Sequence, residues 1–364
     1  MMNSKKSMAL FFFCSIIDLE MSEIMKSIYS LTLEEMEEYF LSMKAKKFHA
    51  LQLFSWLYEK RIHSYDEITN IKKEILNSLK LNYSINHLKI VEIQEDVDVC
   101  KYLFELEDSE HIEAVLMRHD YGNSVCISSQ VGCNMGCKFC ESGRRKKVRN
   151  LEVHELVLQL LMIEEHLKER ISHVVVMGIG EPFDNYDNLI KFFQIINHPK
   201  GFAIGARHIT VSTCGVVPKI LEFSDFPLQI NLAISLHAPN NDIRNKIMPI
   251  NKAYPLEELI PAIKKYLEKT NRRVTFEYIL LENINDSDEC ALELAKLVKG
   301  INCYINLIPY NETNNLDFKR TKTIQIMRFY DILKKNNVNV TIRREFGSKI
   351  SAACGQLRSK KEEL

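Results

Sequence analysis

Beyond Cys140 the sequence alternates between short apolar runs and amphipathic stretches, and few folds satisfy that alternation. The runs are Val174–Met177, Ile209–Ser212, Leu232–Leu236, Val274–Leu280, Ile305–Ile308 and Val338–Ile342. Val153, Leu156, Val157, Leu160 and Leu161 line one face of the first helical stretch. Asp286 and Glu289 read as the cap of another, which stops at Gly300. Buried strands separated by helices imply parallel βαβ units, closed as a barrel or left as an open sheet. No internal repeat and no low-complexity linker interrupts the pattern.

Upstream, the periodicity is different. Thr32 and Glu35 form a capping-box pattern ahead of Leu33, Met36, Tyr39 and Phe40, and a second helix carries Phe48, Leu51, Leu53, Phe54 and Leu57. Residues from Thr32 to about Leu79 therefore read as a small helical domain. Val91–Ile93, Tyr102–Leu106 and Glu113–Met117 are strand-like and separated by acidic turns, which predicts an antiparallel stretch. Ahead of both, Lys5-Lys6 and the apolar run Met8–Ile17 make a poor signal peptide. The run is too short to span a bilayer and ends in Asp18 and Glu20. Residues 1–25 read as an extension, with Met21 or Met25 as candidate starts.

The 364 residues carry equal numbers of acidic and basic side chains, so any affinity for nucleic acid must come from local clusters. The candidates are Arg144-Arg145-Lys146-Lys147-Val148-Arg149, and Lys44, Lys46 and Lys47 on the helical domain. Ten cysteines are neither a disulfide framework nor an ordinary cytosolic complement. Four crowd between Cys126 and Cys140, which points to metal or redox chemistry in a reducing compartment.

Cys133-Asn134-Met135-Gly136-Cys137-Lys138-Phe139-Cys140 has the spacing C-x3-C-x2-C. Three thiolates on one loop suit three corners of a cubane iron–sulfur cluster and leave one iron open to a chelating molecule. A structural zinc site is the competing reading, closed by Cys126 or His119 in place of a second cysteine hook. Val174–Met177 then runs into Gly178-Ile179-Gly180-Glu181-Pro182, a strand ending in a glycine turn with a carboxylate. This lacks the spacing of a dinucleotide fingerprint. Following the triplet at the next strand end, it fits a site for the amino group of S-adenosylmethionine (SAM).

Five blocks in order carry a resemblance: Cys126-Ile127-Ser128-Ser129-Gln130-Val131-Gly132-Cys133, Gly178–Pro182, Ser235-Leu236-His237-Ala238-Pro239-Asn240, Ile305-Asn306-Leu307-Ile308-Pro309 and Ala352-Ala353-Cys354-Gly355-Gln356-Leu357. The chain resembles the RlmN/Cfr family of radical-SAM rRNA adenosine methyltransferases over nearly its whole length. The resemblance implies an α/β fold: an incomplete (β/α)6 barrel with an N-terminal helical domain and a short antiparallel strand extension. The expected boundaries are 26–85 for the helical RNA-binding domain, 86–125 for the strands, 126–345 for the partial barrel and 346–364 for a C-terminal segment.

The resemblance also implies roles. Cys133, Cys137 and Cys140 would hold a [4Fe–4S] cluster, while Gly180, Glu181, Ser212, Ser235, Leu236, His237 and Asn311 would contact SAM. Cys354 matches the methyl-carrying cysteine, Cys126 the thiol that resolves the adduct by forming a disulfide, and Glu113 the general base. Without it, Ser212 and Ser235 would be strand-end capping groups, Cys354 a buried structural thiol and Glu113 a solvated carboxylate. The expected partners are 23S rRNA, with tRNA as a second substrate, and an electron donor such as flavodoxin or ferredoxin, for a cytoplasmic monomer away from membranes.

Gly180-Glu181-Pro182 and Val131 resemble the branch that methylates adenine C2 more than the C8-methylating resistance branch. Two positions depart from the family pattern: Lys146 replaces a glycine, and Lys349 stands where an aspartate is common. The C8 enzyme is the competing activity, and a zinc-stabilised RNA-binding protein without catalysis is the competing class.

Overall fold

The computed structural model describes residues 25–313, 315–343 and 356–357. Residues 1–24 of the proposed extension, Lys349 and Cys354 lie outside the described residues. The chain divides into two compact units that meet in sequence between Asn86 and His87.

In the first unit, strands β1 (Lys26–Ser27) and β2 (Tyr83–Ser84) pair in parallel around helices α1 (Leu33–Ser42), α2 (Phe48–Tyr58) and α3 (Lys73–Asn82). Thr32 starts α1 as the sequence predicts: its hydroxyl accepts the Glu35 amide at 3.2 Å, and Glu35 accepts the Thr32 amide at 2.9 Å. Met36, Phe40, Leu53, Phe54, Leu57 and Leu79 are fully buried and form the unit's core. Each such side chain contributes roughly 1.5–3 kcal/mol.

The second unit is built on one sheet. Strands β3 (Lys89–Asp96), β4 (Val99–Glu105), β5 (His111–His119) and β6 (Gly122–Ile127) form an antiparallel meander. A small hairpin of β7 (Gln130–Val131) and β8 (Arg149–Asn150) brackets the cysteine loop. Then α4 (Val153–Leu167), β9 (Ile171–Val176), α5 (Tyr186–Asn197), β10 (Ile209–Thr213), α6 (Val217–Phe223), β11 (Asn231–Ser235), α7 (Asn241–Ile247), α8 (Leu256–Thr270), β12 (Val274–Leu280), α9 (Asp288–Leu297), β13 (Cys303–Pro309), α10 (Thr323–Lys335) and β14 (Val340–Ile342) follow in alternation. The sheet order is β14-β13-β12-β11-β10-β9-β6-β5-β4-β3.

The six apolar runs are thus β9 to β14, all parallel to their neighbours. The parallel set also takes in β6, antiparallel to β5 on one side and parallel to β9 on the other. Periodicity could not show this, because one strand's sequence is the same whichever way its neighbour runs. Helix α9 starts one residue later than the sequence suggests. Ser287 is its cap, accepting the Cys290 amide, while the Asp286 carboxylate accepts from the Asn283 amide and the Thr321 hydroxyl. Among the described residues, no helix is long and apolar enough to cross a membrane.

Candidate active site

The carboxyl ends of parallel strands expose loops on one edge of a sheet, where α/β folds place their sites. Here that edge holds a cleft of about 900 Å³, measured out to its mouth. Cys133, Cys137 and Cys140 line it together with Gly178, Gly180, Glu181, Ser212, Ser235 and His237. Leu236 and Asn311 are buried but do not line it, and neither do Glu113 and Cys126.

The cysteine loop is held by backbone. Cys133 N–H donates to Arg145 O at 2.9 Å and Val148 N–H to Val131 O at 2.8 Å. Gly132 has φ +74°, and a Cβ there would lie 2.3 Å from Lys146 O, so the loop closes only over a glycine. Arg144 pairs with Glu141, Arg145 with Glu110, Lys147 with Asp184, and Arg149 with both Asp108 and Glu155. Most of the basic run therefore pins the loop to carboxylates of this chain.

Glu181 follows Gly180, whose φ of +112° and close approach to Gln130 exclude a side chain. The Glu181 carboxylate is buried and accepts the Phe183 amide at 3.0 Å and the Cys214 amide at 2.7 Å. Burial pushes its pKa up, against the pull of those amides. Ser212 and Ser235, on adjacent strands, bring their hydroxyls within 3.3 Å. His237 is buried at φ +57°, and its Nδ1 accepts the Ile279 amide at 3.0 Å. Burial, helped by the Arg244 charge, lowers its pKa to about 3, so the ring is neutral and Nε2 carries the proton.

Three charged side chains of this region escaped the sequence reading. Arg244 is fully buried and donates to Cys214 O at 2.6 Å, Asn251 Oδ1 at 2.8 Å and Leu236 O at 3.2 Å. It ties together the loops after β10 and β11; burial lowers its pKa to about 10. Glu277 lines the cleft from β12 and accepts from Asn306 Nδ2 at 2.9 Å, its pKa raised by burial. Lys101 lies buried beside Glu113. Lys101 and Glu277 do leave a trace in sequence: each is a charge inside an apolar strand. Arg244 sits on a helix, where a charge is unremarkable.

Cys126 and Glu113 occupy the neighbouring stretch of sheet. Cys126 belongs to a buried cluster with Val99, Val115, Met117, Ile179 and Leu357, and Met177 joins this cluster to the cleft. Leu357 is thus a described point of the C-terminal segment in the same cluster as Cys126. Its carbonyl accepts the Ser142 hydroxyl at 2.8 Å.

Residues 127–295 match the radical SAM superfamily, and residues 26–85 match the ribosomal RNA large subunit methyltransferase N-terminal domain. A probable dual-specificity RNA methyltransferase RlmN of Spiroplasma citri is 56% identical over 342 residues, spanning 93% of this chain and 99% of that protein. The chain belongs to the RlmN family of radical-SAM RNA methyltransferases. A second RlmN, from Enterococcus faecalis, is 54% identical over 92% of this chain and 96% of its own length. A radical SAM methyltransferase from Sphaerobacter thermophilus, known from a crystal structure, matches 92% of this RlmN-family chain with a TM-score of 0.87 at 40% identity and is itself covered completely.

The radical-SAM superfamily implies SAM and a [4Fe–4S] cluster, and the donor set fits them. The three thiols share a cleft, yet among the described residues no group of three or more His, Cys, Asp or Glu closes on a single metal ion. A mononuclear zinc site needs that closure, whereas a cubane gives each thiolate its own iron. Burial pushes the Cys133 thiol up to about 12, and burial with the neighbouring thiols pushes Cys137 higher still. Thiolates in this cleft therefore need a bound cationic centre, and its binding would expel their protons.

Proposed function

We propose that this chain methylates carbon 2 of an adenosine in 23S rRNA, and of an adenosine in tRNA as a second substrate, through an S-methylcysteine at Cys354. The observation that carries the reading is the meeting of the cysteine triplet with Gly180, Glu181, Ser212, Ser235 and His237 in one cleft. The relatives' printed description as dual-specificity RNA methyltransferases supports two RNA substrates.

In this reading Cys133, Cys137 and Cys140 hold the cluster, and the strand-end residues, with Leu236 and Asn311, surround SAM. The Ser212 and Ser235 hydroxyls and His237 Nε2–H are donors at that edge, and Glu181 is the acceptor for an ammonium group. When bound, the reduced cluster with SAM supplies a carbon-centred radical. An adenine ring carbon is electrophilic and resists direct displacement by a sulfonium, so a nucleophilic carrier is needed. Cys354 would accept a methyl group from one SAM, and after that group gives up one hydrogen atom to the radical that a second SAM would supply, its carbon bonds to the ring. Glu113 takes the ring proton, and the Cys126 thiolate attacks the Cys354 sulfur, so that the S–C bond to the transferred carbon breaks as the S–S bond forms. That carbon stays on the ring and takes up a proton, while the unpaired electron would return to the cluster the three cysteines would hold. Leu357, three residues after Cys354 in sequence, belongs to the same buried cluster as Cys126, which supports a partnership of these two thiols. Residues 26–85 serve as an RNA-binding accessory, and a flavodoxin or ferredoxin supplies electrons to this cytoplasmic monomer.

Nucleoside mass spectrometry of 23S rRNA and tRNA, from cells with and without the chain, tests the reading. The expected result is 2-methyladenosine that depends on the chain in both RNAs. Finding 8-methyladenosine alone would place it in the resistance branch instead.

A further inference from the structure

Lys101 on β4 and Glu113 on β5 lie 3.3 Å apart, with side chains 4% and 2% exposed. The register sets Lys101 opposite Val115, Glu113 opposite Leu103, and Cys126 on β6 opposite Val115. Side chains alternate along a strand, so Lys101, Glu113 and Cys126 share one face of the sheet. Stability alone does not call for this pair. Apolar residues of similar volume commonly serve a buried position as well or better, because desolvating two ions offsets their attraction. A carboxylate that must accept a proton has a further requirement: it must still be ionised when the substrate arrives. Burial by itself favours the neutral acid, and an adjacent cation reverses that preference.

We propose that Lys101 is a positioning residue for Glu113, its ammonium holding the buried carboxylate ionised and oriented to take the ring proton. The inference rests on the proposed function and on Glu113 as its base. In the step concerned, the C–H bonding pair stays in the ring and the proton bonds to a carboxylate oxygen.

The test is single-turnover methylation by the anaerobically reconstituted full chain, followed against pH for wild type, Lys101→Met, Lys101→Gln and Lys101→Arg. Other titratable groups on this face are Lys89, Glu92 and Asp96 on β3, Glu105 on β4, His111 and His119 on β5, Cys126 on β6 and His173 on β9, with Gln130 and Val131 of β7 adding none. These groups are common to every variant, so a difference between profiles reports the cation. The neutral variants should lose at least about tenfold in rate at pH 7, their acid limb rising by at least about one pH unit. Lys101→Arg should restore the limb, and SAM cleavage without RNA should stay at the wild-type rate in all three.

Whichever neutral variant folds is the one read, and Lys101→Met/Glu113→Gln, with both charges removed, is the folding control. An equal loss at every pH, or failure of Lys101→Arg to restore the limb, overturns the proposal. Methylation by Glu113→Gln at the wild-type rate removes the base role itself, a separate failure that is visible whatever Lys101 does.

Discussion

His237 stands in a left-handed conformation because the chain turns there from the end of β11 to the cap of α7. Its Nδ1 is committed to the Ile279 amide, and its folded pKa is about 3. The unfolded chain binds a proton near pH 6.5 that the folded chain refuses, so stability falls as the pH drops between these values. The loss should approach about 1.4 kcal/mol per pH unit. His237→Asn keeps an acceptor near the same place on a residue that tolerates positive φ. Urea unfolding from pH 7 to 5 should therefore show a shallower decline for the variant, and parallel curves would contradict the neutral assignment. The two proposed thiols differ in role, so their variants should differ in outcome. Cys354→Ala should stop methylation before any bond to RNA forms. Cys126→Ala should let the bond form and then leave chain and RNA joined, because no thiolate is present to open it. Denaturing electrophoresis with RNA, SAM and reductant reads this directly, and a variant with its cluster intact but no RNA-dependent shifted band removes Cys126 from the mechanism.

Among the elements, α7 has an influence beyond its length, because its Arg244 reaches back beneath the ends of β10 and β11. Lysine cannot reproduce a planar fork that meets five partners. Arg244→Lys should cost about 3 kcal/mol, the range for hydrogen bonds from a charged donor left unmade in the interior. The loss should show as a lower urea midpoint with unchanged slope, and a variant within about 0.5 kcal/mol of wild type would show the network to be dispensable. The same elements mark what the sequence made legible. Apolar runs gave β9 to β14, the capping box gave α1, and the triplet and glycine turn gave one side of the cleft lining. Pairing direction was hidden for β6. So was the cap of α9, where Asp286 and Ser287 are adjacent and equally suitable residue types. Arg244 was hidden for another reason: a buried charge is recognised by its partners, and those come from separate loops.

For the whole molecule, charge matters more by arrangement than by amount. Formal neutrality conceals a basic run that would look like an RNA-binding patch, but four of its five cations already face carboxylates of the same chain. Such cations have few further contacts to make with phosphates, and an RNA binding to them displaces intramolecular partners as well as solvent. Counterion release gives this a measurable form. Five unpaired cations on a single-stranded substrate would contribute a slope of about −3.5 to a plot of log affinity against log salt concentration, whereas one would contribute about −0.7. Neutralising the run with Arg145→Gln and Lys147→Gln should therefore leave that slope nearly unchanged in RNA titrations, and a loss of about 1.4 would show that both cations reach phosphate after all. RNA recognition by this chain should accordingly persist at salt concentrations that would release a protein of the same sequence composition with its basic run exposed.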